Sequence, residues 1–153
     1  MSVVIRKAGM ADVQEAYELL NSYAEKGELL GRSLSSLYDN LRDFQVAHQQ
    51  NGEFVGACAL HICWKDLAEI RSLAVHEKFH NQGVGRVLVE RCLADAKDFG
   101  IAKVFTLTYQ PEFFKRLGFA AIDKGELPHK VWTDCINCPK FPDCNEEAMV
   151  WQG

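Results

Sequence analysis

The stretch His80-Asn81-Gln82-Gly83-Val84-Gly85-Arg86 has residue types and a spacing suited to holding an anion. It stands where a strand-like run, Ile70-Arg71-Ser72-Leu73-Ala74-Val75, gives way to a helix-like one marked by Val84, Leu88 and Cys92. The two glycines let backbone N–H groups converge without Cβ obstruction. A helix N-terminus presents N–H groups that lack internal partners, at the positive end of the helix dipole, so a phosphate suits the junction. A lone Gly-x-Gly would equally serve an ordinary bend, and it says nothing about what reacts.

A second grouping is rich in cysteine. His129, Cys135, Cys138 and Cys144 include one Cys-x-x-Cys pair, and a His with three Cys would satisfy tetrahedral zinc; an iron–sulfur cluster is the other metal reading. Zinc signatures are strong when two such pairs are present, and here there is one. Three reduced thiols packed under a lid are therefore favoured over either metal. Cys58, Cys63 and Cys92 lie in apolar or amphipathic runs and read as buried free thiols. With no Cys–His pair at local spacing, a cysteine acyl-enzyme is not expected.

Composition narrows the partners. The 153 residues carry a net charge of −4, with 48% hydrophobic and 25% charged residues, as an ordinary globular chain does. That balance argues against a nucleic-acid partner but leaves room for one anionic ligand in a local pocket. The apolar part of the N-terminus is too short for a signal peptide, and no stretch approaches a membrane span, so no membrane partner and a cytoplasmic location are expected. One domain over residues 1–153 is expected, with residues 123–147 as a Cys/Pro-rich insertion or lid before the last strand. Assembly state is not legible, and a homodimer is left open.

The elements that must position these groups read off in order. Residues 3–6 form a strand. Asp12 is placed to cap a helix, with Glu15 as its capping-box partner and Val13, Ala16, Tyr17, Leu20 and Ala24 on the buried face. A second helix starts near Ser33, with Leu34, Leu37, Leu41 and Phe44 on its apolar side. Strands follow at 44–47, 54–62 and 67–75, with Asn51-Gly52 as a hairpin turn between the first two. The helix after the glycines ends near Gly100 and feeds a strand at 104–108, expected to run parallel to the strand at 67–75. A short helix from Pro111, closed by Gly118, precedes a strand at 119–122, and a last strand covers 148–151.

This order, with Leu73-Ala74-Val75, then Gly83-Val84-Gly85, then Phe113-Phe114-Lys115-Arg116-Leu117-Gly118-Phe119, resembles the GNAT acetyltransferase superfamily. The resemblance implies an α/β (α+β) fold: a mixed, mostly antiparallel sheet of six to seven strands, flanked by about four helices and splayed between strands four and five. It implies acetyl-CoA as cofactor. The pyrophosphate would rest on the backbone N–H groups of Gln82, Gly83, Val84, Gly85 and Arg86, and the pantetheine arm beside Leu73, Ala74 and Val75. Two positions depart from the superfamily's pattern. His80 fills a slot commonly held by Gln or Arg, and Phe114 stands where many members place a proton-donating Tyr. That leaves Tyr109 or a water to protonate the leaving thiolate.

A narrower resemblance is carried by Glu28-Leu29-Leu30-Gly31-Arg32-Ser33, Glu69-Ile70-Arg71-Ser72-Leu73-Ala74-Val75 and Phe105-Thr106-Leu107-Thr108. These look like the acetyltransferase domain of N-acetylglutamate synthases, and the whole chain looks like their short stand-alone bacterial form. L-Glutamate is the implied substrate and arginine biosynthesis the implied pathway. Another small amine, a protein amine, or a non-catalytic acyl-CoA sensor are the alternatives. Arg32 matches the position that holds a substrate carboxylate, and bidentate Arg suits that task. Arg71 is a second candidate cation, or a surface ion-pair partner. Arg116 is a third, because the slot before Gly118, where longer synthases carry Arg, holds Leu117. Glu69 is the candidate base, acting through a water, or else an exposed strand residue paired with a neighbouring Arg or Lys. Thr108 either positions the amine or a water, or caps its strand.

Overall fold

The computed structural model describes residues 3–28, 31–127 and 146–153, so His129, Cys135, Cys138 and Cys144 lie outside the described residues. Seven strands hydrogen-bond into one sheet: β1 (Val3–Lys7), β2 (Phe44–Gln49), β3 (Phe54–Trp64), β4 (Leu67–Val75), β5 (Lys103–Thr108), β6 (Ala120–Ile122) and β7 (Glu147–Gln152). Their order across the sheet is β1-β2-β3-β4-β5-β7-β6. Every pairing is antiparallel except β4 with β5, which is parallel. The helices are α1 (Val13–Glu25), α2 (Leu34–Asp39), α3 (Val84–Asp98) and α4 (Pro111–Lys115). The mixed, mostly antiparallel sheet expected from the sequence is the one found.

Alternation along β3 and β4 sorts the core into two faces. On one, Leu88, Val89, Cys92 and Ala96 of α3 pack on Val55, Cys58, Leu60, Ala68 and Ile70. On the other, Val13, Ala16 and Leu20 of α1 pack on Val46, Ala57, Ala59 and Ala74. Fully buried leucines such as Leu20 and Leu88 each contribute about 2–3 kcal/mol by removal from water. A third cluster, Cys63, Leu67, Phe105, Leu127 and Ala148, shares the α1 face further along the strands. Between those two apolar clusters the same alternation places His61 in β3, and Glu69 and Arg71 in β4. The strand pattern thus leaves a polar gap in an otherwise apolar face.

Two irregularities open that gap. Arg71 pairs with Ala59 and Ala74 with Ala57, so Ser72 and Leu73 together face Cys58 alone, a β-bulge that increases local twist. Ser72 takes φ 57°, a conformation that costs a non-glycine residue some strain. The parallel ladder between β4 and β5 also stops after Glu69–Phe105. At the next step the Thr106 hydroxyl donates to the Ile70 carbonyl at 2.9 Å, and the strands diverge. Beyond that point β4 keeps its ladder to β3 alone.

Three local expectations change. Asp12 does not cap α1 with its side chain; it closes a 3-10 turn, Met10–Asp12, and accepts from the Gly9 N–H at 2.7 Å. The helix expected to run from Ser33 towards Phe44 stops at Asp39, where Asn40 leaves helical geometry. Its start is as read, with the Ser36 N–H donating to Ser33 Oγ at 3.0 Å. The strand expected at 119–122 begins one residue later and lies at the sheet edge beyond β7.

Asp12 is nearly buried, and burial by itself raises a carboxyl's pKa. Here the bidentate Arg6 guanidinium, at 2.9 and 3.0 Å, the Gly9 N–H and the nearby His48 outweigh it, and the pKa is lowered. Its stabilising contribution is present above the unfolded carboxylate's pKa of about 3.9 and is lost as pH falls through the lower folded value. Asp12→Asn should cost about 1–2 kcal/mol in urea unfolding at pH 7, and the difference should shrink as pH falls below the unfolded carboxylate's pKa of about 3.9.

Candidate active site

Gly83 is the N-cap of α3 with φ 81°, and a Cβ built there meets nothing within 4 Å. The turn therefore needs glycine for its backbone, and the space beside it is open. The Val87 N–H donates to the Gly83 carbonyl at 3.1 Å, so the N–H groups of Val84, Gly85 and Arg86 precede the helix's own ladder. A Cβ at Gly85 would make ordinary contact with the Phe113 ring of α4, at 3.4 Å, so packing alone does not demand glycine there. The Gln82 side chain donates to the Lys78 carbonyl, and Arg86 pairs with Glu90, so backbone rather than side chain is what this turn offers an anion. Gly83→Val places a β-branched residue at positive φ, at a cost of about 2 kcal/mol in this turn. Calorimetric titration should show affinity for the ligand of this turn falling by roughly tenfold or more.

His80 does not point its ring at the turn. Its Nε2 lies 2.8 Å from both the Val75 carbonyl and the Tyr23 hydroxyl, and Tyr23 donates to the same carbonyl. Burial, reinforced by the charge of Glu77, raises the Tyr23 pKa and keeps the phenol a donor. The C-terminal end of β4 is thus tied to α1 and to the residues leading into α3. Tyr23 was not singled out by sequence, because a tyrosine on an amphipathic helix carries no sign that its hydroxyl reaches a strand 52 residues away.

The polar gap forms a pocket of about 230 Å³, counting the solvent at its mouth, lined by Arg32, Asp43, His61, Arg71 and Ser72 among others. Arg71 Nε lies 3.4 Å from Glu69 Oε1, with both side chains mostly buried. The contact is an ion pair. Arg32 enters from the loop between α1 and α2. Gly31 lets that loop lie against α1: a Cβ there would fall 2.8 Å from Asn21 Oδ1, while Asn21 Nδ2 donates to the Arg32 carbonyl at 3.4 Å. Asp43 and His61 complete the lining with a 2.7 Å contact. No spacing rule links these two residues in sequence; the β2–β3 pairing brings them together.

Other candidates fall elsewhere. Thr108 accepts from the Gln110 N–H at 2.8 Å, the strand-end cap that was one of its two readings, and by alternation it faces away from Phe105, the register partner of Glu69. Tyr109 follows it, half-buried, in the connection to α4. Arg116 is exposed at the C-cap of α4 and is not among the residues lining the pocket. Phe114 is buried against Phe113 and Phe119 and has only packing to offer. Cys58 and Cys92 face one another in the α3 core, where the neighbouring thiol and then burial push the Cys58 pKa well up, so it is no nucleophile. Among the described residues no group of three His, Cys, Asp or Glu is placed to hold a metal ion. No helix among them is long and apolar enough to cross a membrane.

A bulged strand, a splayed parallel pair and a glycine turn opening a helix are thus combined on one sheet, and residues 13–119 match the family model described as Acetyltransferase (GNAT) family. The chain belongs to that family. An "Uncharacterized N-acetyltransferase CT2212" of Chlorobaculum tepidum is 44% identical to this GNAT chain over 146 residues, 95% of this chain and 94% of its own length. An "Amino-acid acetyltransferase" of Mycobacterium tuberculosis is 40% identical over 133 residues, 86% of this chain and 76% of its own. Among solved structures, Rv2747 from Mycobacterium tuberculosis in complex with CoA and NLQ superposes with TM-score 0.85 at 32% identity, covering 98% of this chain and 99% of its own. N-acetylglutamate synthase from Neisseria gonorrhoeae, complexed with coenzyme A and N-acetyl-glutamate, gives 0.87 at 26% identity, covering 99% of this chain but 35% of its own. This GNAT enzyme is an acetyl-CoA-dependent N-acetyltransferase related to amino-acid acetyltransferases. The residues present fit that cofactor: an open N–H cradle at Gly83 for phosphate, and an edge of β4 that β5 leaves after Glu69 for an extended amide-bearing arm.

Proposed function

We propose that the acceptor is the α-amine of L-glutamate and that the product, N-acetylglutamate, opens arginine biosynthesis in the cytosol. The observation that carries this reading is the convergence of Arg32 and Arg71, from distant points in the chain, on one pocket, with Glu69 paired to Arg71. Glutamate brings two carboxylates and one ammonium; the pocket offers the guanidinium groups of Arg32 and Arg71, with Asp43, held by His61, and Glu69, paired to Arg71, as the nearby carboxylates. A relative solved with N-acetyl-glutamate supports the same choice. The buried free thiols Cys58 and Cys92 suit a reducing compartment.

In this reading Val84, Gly85 and Arg86 hold the cofactor's phosphates through their N–H groups, with Gln82 and Gly83 shaping the turn. Leu73, Ala74 and Val75 lie beside its extended arm, where β5 has left β4. Acetyl-CoA supplies the acyl group as a thioester, whose carbon–sulfur bond breaks as the new carbon–nitrogen bond forms. Arg32 holds a substrate carboxylate, and Arg71 bridges Glu69 and the other. Glu69 takes the ammonium proton through a water, freeing the nitrogen lone pair for direct attack in a ternary complex. The N–H of Leu73 or Val75 polarises the acyl oxygen. Tyr109 or a water returns a proton to sulfur.

The test is CoA-thiol release across a panel of amino acids and small amines with the purified protein. Turnover should be highest with glutamate. Turnover with another amine and none with glutamate would reject the assignment, and acetyl-CoA binding without turnover on any amine would leave a sensor.

A further inference from the structure

His61 and Glu69 are register partners on β3 and β4. Direct cross-strand partners hold their Cβ atoms about 4.5–5.5 Å apart on one face of a sheet. His61 Nδ1 lies 2.7 Å from Asp43 Oδ2, with the two side chains 32% and 24% exposed. Both line the pocket that holds Arg32 and Arg71. The charged groups around His61 are therefore Asp43 from the turn before β2, Glu69 and Arg71 from β4, and Arg32 from the α1–α2 loop. Ser36 and Asn40 of the α2 segment add only neutral polar groups.

The chemistry leaves a proton unplaced. Turning an ammonium into an amide strips two protons from nitrogen. One departs on the CoA thiol; the other must leave through the protein. A carboxylate accepts it weakly, whereas an imidazole is about two pKa units more basic. A histidine whose Nδ1–H is held by a carboxylate presents the Nε2 lone pair, which is the tautomer a proton acceptor needs.

We propose that the Asp43–His61 pair is the proton exit of this active site: His61 Nε2 receives the amine's proton from Glu69 and releases it to solvent, while Asp43 is a positioning residue that fixes the tautomer. The nitrogen–hydrogen bond breaks with its electron pair kept on nitrogen, and the proton passes to the Glu69 carboxylate through a water. It then forms the Nε2–H bond of His61, whose partial exposure lets it go to bulk water. This rests on the pocket being the amine site, not on the amine being glutamate.

The test uses the full chain and the best amine found in the panel. His61→Gln should lower kcat by roughly 30–100-fold at pH 7, leave the acetyl-CoA Kd unchanged, and make kcat climb with pH beyond the wild-type plateau. Added imidazole should restore at least about tenfold to His61→Ala. Asp43→Asn should lower kcat by about tenfold while His61 stays in place. A His61→Gln enzyme within about twofold of wild type, or a loss that imidazole does not rescue and that leaves the pH profile unmoved, overturns the proposal. If instead Arg32→Ala leaves the KM for every accepted amine unchanged, the pocket assignment itself has failed.

Discussion

Glu69→Gln is expected to lower kcat by about 10²–10⁴-fold, with the acetyl-CoA Kd unchanged. The amide is nearly isosteric, so it keeps the packing between the two apolar clusters of this face while removing the proton acceptor. It also removes the charge that Arg71 Nε meets at 3.4 Å, so the KM for the acceptor should move as well, by less than kcat does. Steady-state kinetics with each substrate varied in turn separates the two effects. A kcat within about threefold of wild type would show that Glu69 only anchors Arg71.

Arg32→Ala should raise the KM for glutamate by roughly 30–1000-fold, the equivalent of about 2–4 kcal/mol for one lost charge-assisted pair in a pocket. Acetyl-CoA affinity should stay within about twofold, because the glycine turn is built on different elements. Arg32→Lys should recover only part of the loss, since an ammonium cannot make the bidentate contact. Equal losses for both substrates would mean that the α1–α2 loop supports the fold and not the acceptor. Gly31 makes that distinction meaningful: its close approach to Asn21 holds the loop against α1 independently of the Arg32 side chain.

Much of this architecture was legible from local signals. The Ser33 cap and the Gly83–Gly85 junction each depend on a few adjacent residues and form as read, while the hairpin at Asn51-Gly52 forms with its turn on Gln50-Asn51 and Gly52 alone at positive φ. Asp12 was misread because the capping pattern is local while its real partners, Arg6 and His48, arrive from β1 and β2. The site divides in the same way. The anion turn is contiguous in sequence and declares itself, and Arg32, Glu69 and Arg71 came into view only through motif resemblance. Asp43, His61, Tyr23 and the ring of His80 were silent, because strand register and helix docking place them rather than spacing. Thr108 and Arg116 show the converse, since a residue at a plausible position can be turned to a cap or to solvent by the last turn of its own element.

Comparing kcat/KM for L-glutamate and L-glutamine tests most directly whether the two arginines define the acceptor, because the two amino acids differ by one charge at nearly constant shape. Charge-assisted contacts to Arg predict a preference for glutamate of at least about tenfold, or 1.4 kcal/mol, that collapses in Arg32→Ala. Equal efficiencies, or a preference for glutamine that survives in Arg32→Ala, would contradict a pocket built for a second carboxylate.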